Sequence, residues 1–182
     1  TAGQGLEVEV FPDLSPPGRG LVQVSWFTHD TVVGGAERQR WYTLSGPMVT
    51  GEPAAALTIY RNTGGRFDAP PVTVAEPVGT ATLTFATCTS GRLTYAFADG
   101  SGRAGTVELT RLTQNVTCST TAARPLDADF ALSGNWFAPP TSGQGLTIEV
   151  NPVSAVVFAA WYTYASDGAA GQRWYTAQSS TF

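Results

Sequence analysis

Lysine is absent from this sequence, histidine and methionine occur once each, and cysteine occurs twice. One histidine, His29, and two cysteines are too few ligands for a zinc site, and no cofactor is expected. The basic residues are ten arginines against fourteen acidic residues, a net charge of −4. That balance gives no electrostatic case for nucleic acid or an anionic membrane surface, either of which needs a clustered basic face, and neither partner is expected. The missing lysine reads as compositional bias. No apolar run approaches the roughly 18 residues that cross a bilayer as a helix, so no membrane span is expected. No serine sits in a Gly-x-Ser-x-Gly elbow, and a Cys–His pair is unavailable if the cysteines are bridged. What remains is rich in turn-forming and strand-forming residues: 20 Gly, 12 Pro, five Trp, six Tyr and nine Phe, with Thr and Val abundant. This composition favours many short strands joined by tight turns, an all-β chain.

The chain also repeats itself. Residues 1–12, Thr-Ala-Gly-Gln-Gly-Leu-Glu-Val-Glu-Val-Phe-Pro, return at 141–152 as Thr-Ser-Gly-Gln-Gly-Leu-Thr-Ile-Glu-Val-Asn-Pro, with no gap. Trp26-Phe27-Thr28-His29 matches Trp161-Tyr162-Thr163-Tyr164, and Gln39-Arg40-Trp41-Tyr42-Thr43 matches Gln172-Arg173-Trp174-Tyr175-Thr176. The first copy then runs on for many residues, whereas the second stops at Phe182. The expected organisation is a complete β unit over 1–140 and a partial second repeat over 141–182.

Gly5 to Val10 alternates, with Leu6, Val8 and Val10 on one face and Glu7 and Glu9 on the other, as a half-buried strand does. Strands over 21–28 and 39–44 complete an antiparallel meander, and the same meander recurs over 144–150, 156–164 and 172–178. Further strands are expected over 55–61, 79–86, 92–98 and 106–112, with the Asp99-Gly-Ser-Gly turn closing the last hairpin. Residues 114–129 read as a linker. An eighth strand over 130–137 is expected to pair with the first and close a barrel or sandwich, removing both raw edges. The leftover three-stranded meander then needs support. It packs on the first unit, completes a neighbour by strand exchange, or begins a module cut away.

Glu9 and Glu149 are equivalent, as are Arg40 and Arg173, and we read them as surface ion pairs, because no second carboxylate sits at catalytic spacing. Asp127 and Asp129 fall in the linker. His29 faces Tyr164 in the alignment of the two copies, so it reads as a strand-end residue facing solvent and not as a base. Gly3-Gln4-Gly5 and Gly143-Gln144-Gly145 precede strands, which excludes a phosphate cradle at a helix start. The best-repeated feature is aromatic. In a Trp-Tyr-Thr strand the Trp and Tyr face opposite ways, so one ring fills the core while its neighbour is partly exposed. Two readings stay open: the rings plug a small barrel, or Trp41, Tyr42, Trp174 and Tyr175 line equivalent ligand sites with Gln39, Gln172, Arg40 and Arg173 as polar orienters. Cys88 and Cys118, each near a strand end, are expected to form a disulfide, which fits an exported chain. Such a bridge adds roughly 3–4 kcal/mol by constraining the unfolded state. Thr1 falls inside a repeat, so the sequence is expected to be a mature, trimmed or partial form.

The strings Gly-Asn-Trp-Phe, Thr-Ser-Gly-Gln-Gly-Leu-Thr-Ile-Glu-Val, Ala-Trp-Tyr-Thr-Tyr and Gln-Arg-Trp-Tyr-Thr resemble repeat modules of secreted and surface proteins of proteobacteria. The resemblance implies export and an accessory or structural role, and carries no catalytic or binding residues with it. The leading expectation is a non-catalytic extracellular or cell-surface β-module that self-associates, as a homo-oligomer or a head-to-tail polymer or filament component, with 141–182 as the joining element. The alternatives are a lectin-like module with a glycan partner and an enzyme whose acid and base escape recognition.

Overall fold

Alternating side chains, glycine turns and the repeated meander build two antiparallel sheets and almost nothing else. The computed structural model describes residues 3–12, 14, 17–70, 73–113, 130–167 and 171–179. The first sheet runs in chain order through β1 (Gly5–Phe11), β2 (Arg19–His29), β3 (Gln39–Val49), β4 (Ala54–Thr63), β5 (Val74–Phe85), β6 (Ser90–Phe97) and β7 (Ala104–Thr110). The second has the order β11 (Gln172–Gln178), β10 (Val156–Tyr164), β9 (Gly145–Asn151), β8 (Gly134–Trp136). The fold is therefore all-β, as the composition requires.

The first sheet curls on itself. Its concave face holds Val22, Val24, Trp26, Tyr42, Leu44, Leu57, Ile59, Leu83 and Leu93, all buried, with Leu6, Tyr95, Phe97, Val107 and Leu109 packed round them. These are the alternate residues of each strand, which is the pattern a one-faced core imposes. Trp26 packs against Tyr42, Tyr95 and Phe97 at centroid distances of 5.8, 5.1 and 6.1 Å. Arg103 closes this cluster: its guanidinium lies 3.9 Å from the Phe97 ring centroid, donates to the Tyr42 hydroxyl and pairs with Asp99 at 2.7 Å. In the hairpin turn itself Asp99 accepts from the Ser101 amide, an Asx turn.

The expected eighth strand does not close this sheet. β8 is only three residues long and pairs with β9, Trp136 opposite Leu146, so the second sheet has four strands and begins before residue 140. β1 and β7 are not paired with each other, and side chains of the second sheet bridge them instead. Asn135 donates its amide N–H and its side-chain Nδ2 to Glu9 on β1. Glu149 on β9 accepts from Arg111 at 2.9 Å and Thr113 at 2.5 Å, just beyond β7. Glu9 and Arg40 thus do not meet; Arg40 pairs with Asp30 at 2.8 Å. A three-residue strand has too little backbone to hold an edge alone, and the polar bridges on either side fix its place.

Candidate functional site

The two copies of the meander have the same pairing register. Gly5 faces Phe27 and Phe27 faces Trp41 in the first sheet; Gly145 faces Tyr162 and Tyr162 faces Trp174 in the second. One residue along, Leu6, Trp26 and Tyr42 form a cross-strand row, matched by Leu146, Trp161 and Tyr175. Each meander therefore has a Trp41-type face and a Tyr42-type face.

The Trp41-type faces of the two copies are packed against each other, and the contacts are reciprocal. The Trp41 indole N–H donates to the Thr163 carbonyl at 3.1 Å, and the Trp174 indole N–H donates to the Thr28 carbonyl at 2.9 Å. Gln39 donates to the Trp174 carbonyl at 3.0 Å, and Gln172 to the Trp41 carbonyl at 2.8 Å. Ring contacts follow the same exchange: Phe27 with Trp174 and Tyr162 with Trp41, at 5.1 and 5.9 Å, then His29 with Trp174 and Tyr164 with Trp41, at 5.3 and 5.9 Å. Thr28 and Thr163 each donate to the glutamine of their own copy's opening motif, Gln4 and Gln144, at 2.8 and 2.7 Å. Equivalent atoms meeting equivalent atoms define an isologous contact, here between two halves of one chain.

The glutamines substitute for a missing strand. β4 pairs with β3 only at Thr43, Leu44 and Ser45, leaving the Trp41 amide group without a strand partner. Gln172 supplies both ends of a peptide-like bond there, accepting from the Trp41 N–H at 3.2 Å and donating to its carbonyl. Gln39 makes one of the two bonds at Trp174, and its Oε1 has no partner among the described residues. Glycine is required where rings enter: a Cβ at Gly5 would lie 2.7 Å from the Phe27 ring, and one at Gly65 would run into Tyr164.

Of the two readings left open for the repeated rings, the packed one describes most of the residues. Trp41, Tyr42 and Trp174 are 2, 3 and 9% exposed, and Gln172 and Arg173 are buried, so none offers a ring face or a free polar group to a glycan. Both faces of β3 are covered, one by the curl of its own sheet and one by the second sheet, which the alternation argument did not foresee. Tyr175 alone matches the expectation of an exposed ring, at 49%. His29 is exposed at the end of β2, with its ring against Trp174. Of the two cysteines, Cys88 lies in the turn between β5 and β6; Cys118, with Asp127 and Asp129, lies outside the described residues.

Two features near this interface were not legible in the sequence. Glu7 lies where the second sheet covers β1, and its pKa is pushed up to about 8, first by burial and then by the negative charge of Glu149, with Arg111 acting the other way. Burial likewise raises the Tyr162 hydroxyl, which donates to the Ser25 carbonyl beside it. At the other end, a cleft of about 870 Å³ opens between the β4–β5 loop and the end of β10, with Arg40, Arg61, Arg66, Phe67 and Tyr164 in its walls. Among the described residues no three His, Cys, Asp or Glu side chains come together as metal ligands would. Comparison with protein-family models, with curated proteins and with solved structures finds no match.

Proposed function

We propose that this chain is a non-catalytic extracellular or cell-surface β-module that acts by associating with other copies of itself, with the partial repeat 141–182 as the joining element. The observation that carries the reading is the reciprocity of the Trp–Thr and Gln–Trp bonds across the two meanders. A contact built from equivalent atoms needs only another copy of the same motif. Each molecule carries both halves, so a second sheet released from its own first sheet meets an equal site on a neighbour. Exchange in that way yields closed dimers or head-to-tail chains. Export belongs to the same reading, as the resemblance to secreted repeat modules implies, and with it a Cys88–Cys118 bridge. Thiol titration of the unfolded chain before and after reduction tests the bridge; free thiols before reduction would refute it.

The test of association is native mass by light scattering across a wide range of concentration, before and after refolding a concentrated mixture of two differently tagged chains. Mixed-tag dimers or longer species support the reading. A monomer at every concentration, with no mixed species after refolding, overturns it. A lectin-like reading has one observation in its favour: Arg40, from the ligand set expected in the sequence, lines the open cleft beside Phe67 and Tyr164. Glycan-array binding lost in Arg66→Ala would support that alternative.

A further inference from the structure

The cleft between the β4–β5 loop and the end of β10 is basic, in a chain whose net charge is −4. Arg40, Arg61 and Arg66 stand in its walls, and among the described residues the one acidic side chain beside them is Glu37. Asp30 and Glu76, which pair with Arg40 at 2.8 Å and with Arg61 at 2.9 Å, are not part of the walls. Walls of one sign around a concavity focus the potential there and draw in the opposite charge.

The hydrogen-bonding capacity left over in these walls is of one kind. Arg40 is committed, donating to the Glu37 and Gln39 carbonyls and to Asp30. Arg66 is exposed, and among the described residues its side chain makes no hydrogen bond or ion pair. The Arg61 Nε and the Tyr164 hydroxyl are buried with no partner. Burial pushes that hydroxyl up to about 12, so it keeps its proton at neutral pH. What is unmet is therefore N–H and O–H donation, and a ligand that meets it brings acceptor oxygens. The cleft's volume of about 870 Å³ lies within the range of roughly 300–1,000 Å³ that small-molecule sites occupy. Phe67, 37% exposed, gives it an apolar wall.

We propose that this cleft binds a carboxylate-bearing small molecule, with the acid group held by Arg66 and Arg61 and the body of the ligand laid against Phe67. A planar guanidinium meets the two oxygens of a carboxylate with two parallel N–H bonds, which makes arginine the side chain suited to that group. A bare inorganic anion would satisfy the charge but leave Phe67 and most of the volume unfilled. The site does not rest on the self-association reading, and it does not require a glycan. A free organic acid and a uronic acid unit of a polysaccharide offer the same carboxylate, and the two sources are separable by experiment.

The test is titration of the intact isotope-labelled chain, at fixed ionic strength, with citrate, trigalacturonic acid, neutral maltotriose and inorganic sulfate. Binding is read from the arginine Nε–H signals and the backbone amides of residues 61–67. A saturable shift at Arg61 and Arg66 with either carboxylate, weakened by added salt, is the expected result. Citrate binding marks a free acid as the ligand, and trigalacturonic acid binding without citrate marks a polysaccharide unit. Arg66→Ala removes an exposed side chain with no partner, so its other amide signals are expected to stay in place while affinity falls at least about tenfold. Arg92→Ala, an exposed arginine of β6 outside the cleft, is expected to bind as the parent does. The proposal is overturned if neither carboxylate saturates, if sulfate alone binds, or if Arg66→Ala binds equally well. Maltotriose binding as tightly as trigalacturonic acid also overturns it, while leaving the lectin-like reading standing.

Discussion

The first and second copies of the meander share a register and a motif, yet their aromatic rings end in different surroundings. Tyr42 is 3% exposed and hydrogen-bonded to Arg103, whereas Tyr175, at the same place in the second copy, is 49% exposed. Trp41 and Trp174, by contrast, are buried in both. The comparison separates two roles within one motif. The Trp41-type face belongs to contact between repeats, and the meander brings that with it. The Tyr42-type face belongs to whatever strands follow, and among the described residues these are β4–β7, after the first copy.

The largest expected effect sits on the shared face. Trp41→Ala and Trp174→Ala each remove a buried ring and an indole bond to the other copy, and each should lower unfolding free energy by about 3–5 kcal/mol in denaturant titrations. Tyr42→Ala should cost about as much as a buried ring does, while Tyr175→Ala should cost under about 1 kcal/mol, since its ring is half in water. Equal losses at Tyr42 and Tyr175 would erase the distinction between the copies.

Next come the glutamines, which sharpen the comparison because their bonds are unequal. Gln172→Ala leaves the Trp41 N–H and carbonyl both unpaired in a buried position and should cost roughly 2–3 kcal/mol, against about 1 for Gln39→Ala. The same titrations decide the order, and a larger cost at Gln39 would contradict the assignment of Gln172 as a surrogate strand.

A pH dependence follows from Glu7, whose counterpart in the second copy is Thr147. Its folded-state pKa of about 8 exceeds the ordinary 4.5, so the folded chain keeps a proton that the unfolded chain releases. Stability from this group is full below about pH 4.5 and declines as pH rises towards 8. Glu7→Gln should flatten that decline, with a gain over the parent that is larger at pH 8 than at pH 5. The smallest effect is expected at Arg92 and Glu108, an exposed pair across β6 and β7. Removing either side chain should change stability by no more than about 0.5 kcal/mol.

The strands of both meanders were legible because period-two alternation and glycine turns are local signals, and the internal match set their register. The Asp99 turn was legible for the same reason. The partner of residues 134–136 was not, because three residues carry no alternation to speak of, and their position depends on Asn135 reaching Glu9 and Thr147. The glutamines and tryptophans were recognised as a set, but packed rings and ligand sites stayed open as readings of it. Gln4, Thr28, Gln39 and Trp41 recur together as Gln144, Thr163, Gln172 and Trp174, and two equivalent ligand sites would recur in the same way, so recurrence did not decide between the readings. Glu7 left no signal, since its burial comes from a sheet more than a hundred residues away in sequence.

The central claim is that the two copies hold each other through reciprocal indole and glutamine bonds, and hydrogen exchange of the five indole N–H groups tests it most directly. The Trp41 and Trp174 protons are predicted to exchange at matching slow rates, set by separation of the sheets, to speed up together in Gln172→Ala, and to lag far behind half-exposed Trp136. Exchange of either Trp41 or Trp174 as fast as Trp136, or acceleration of one without the other, would contradict the account.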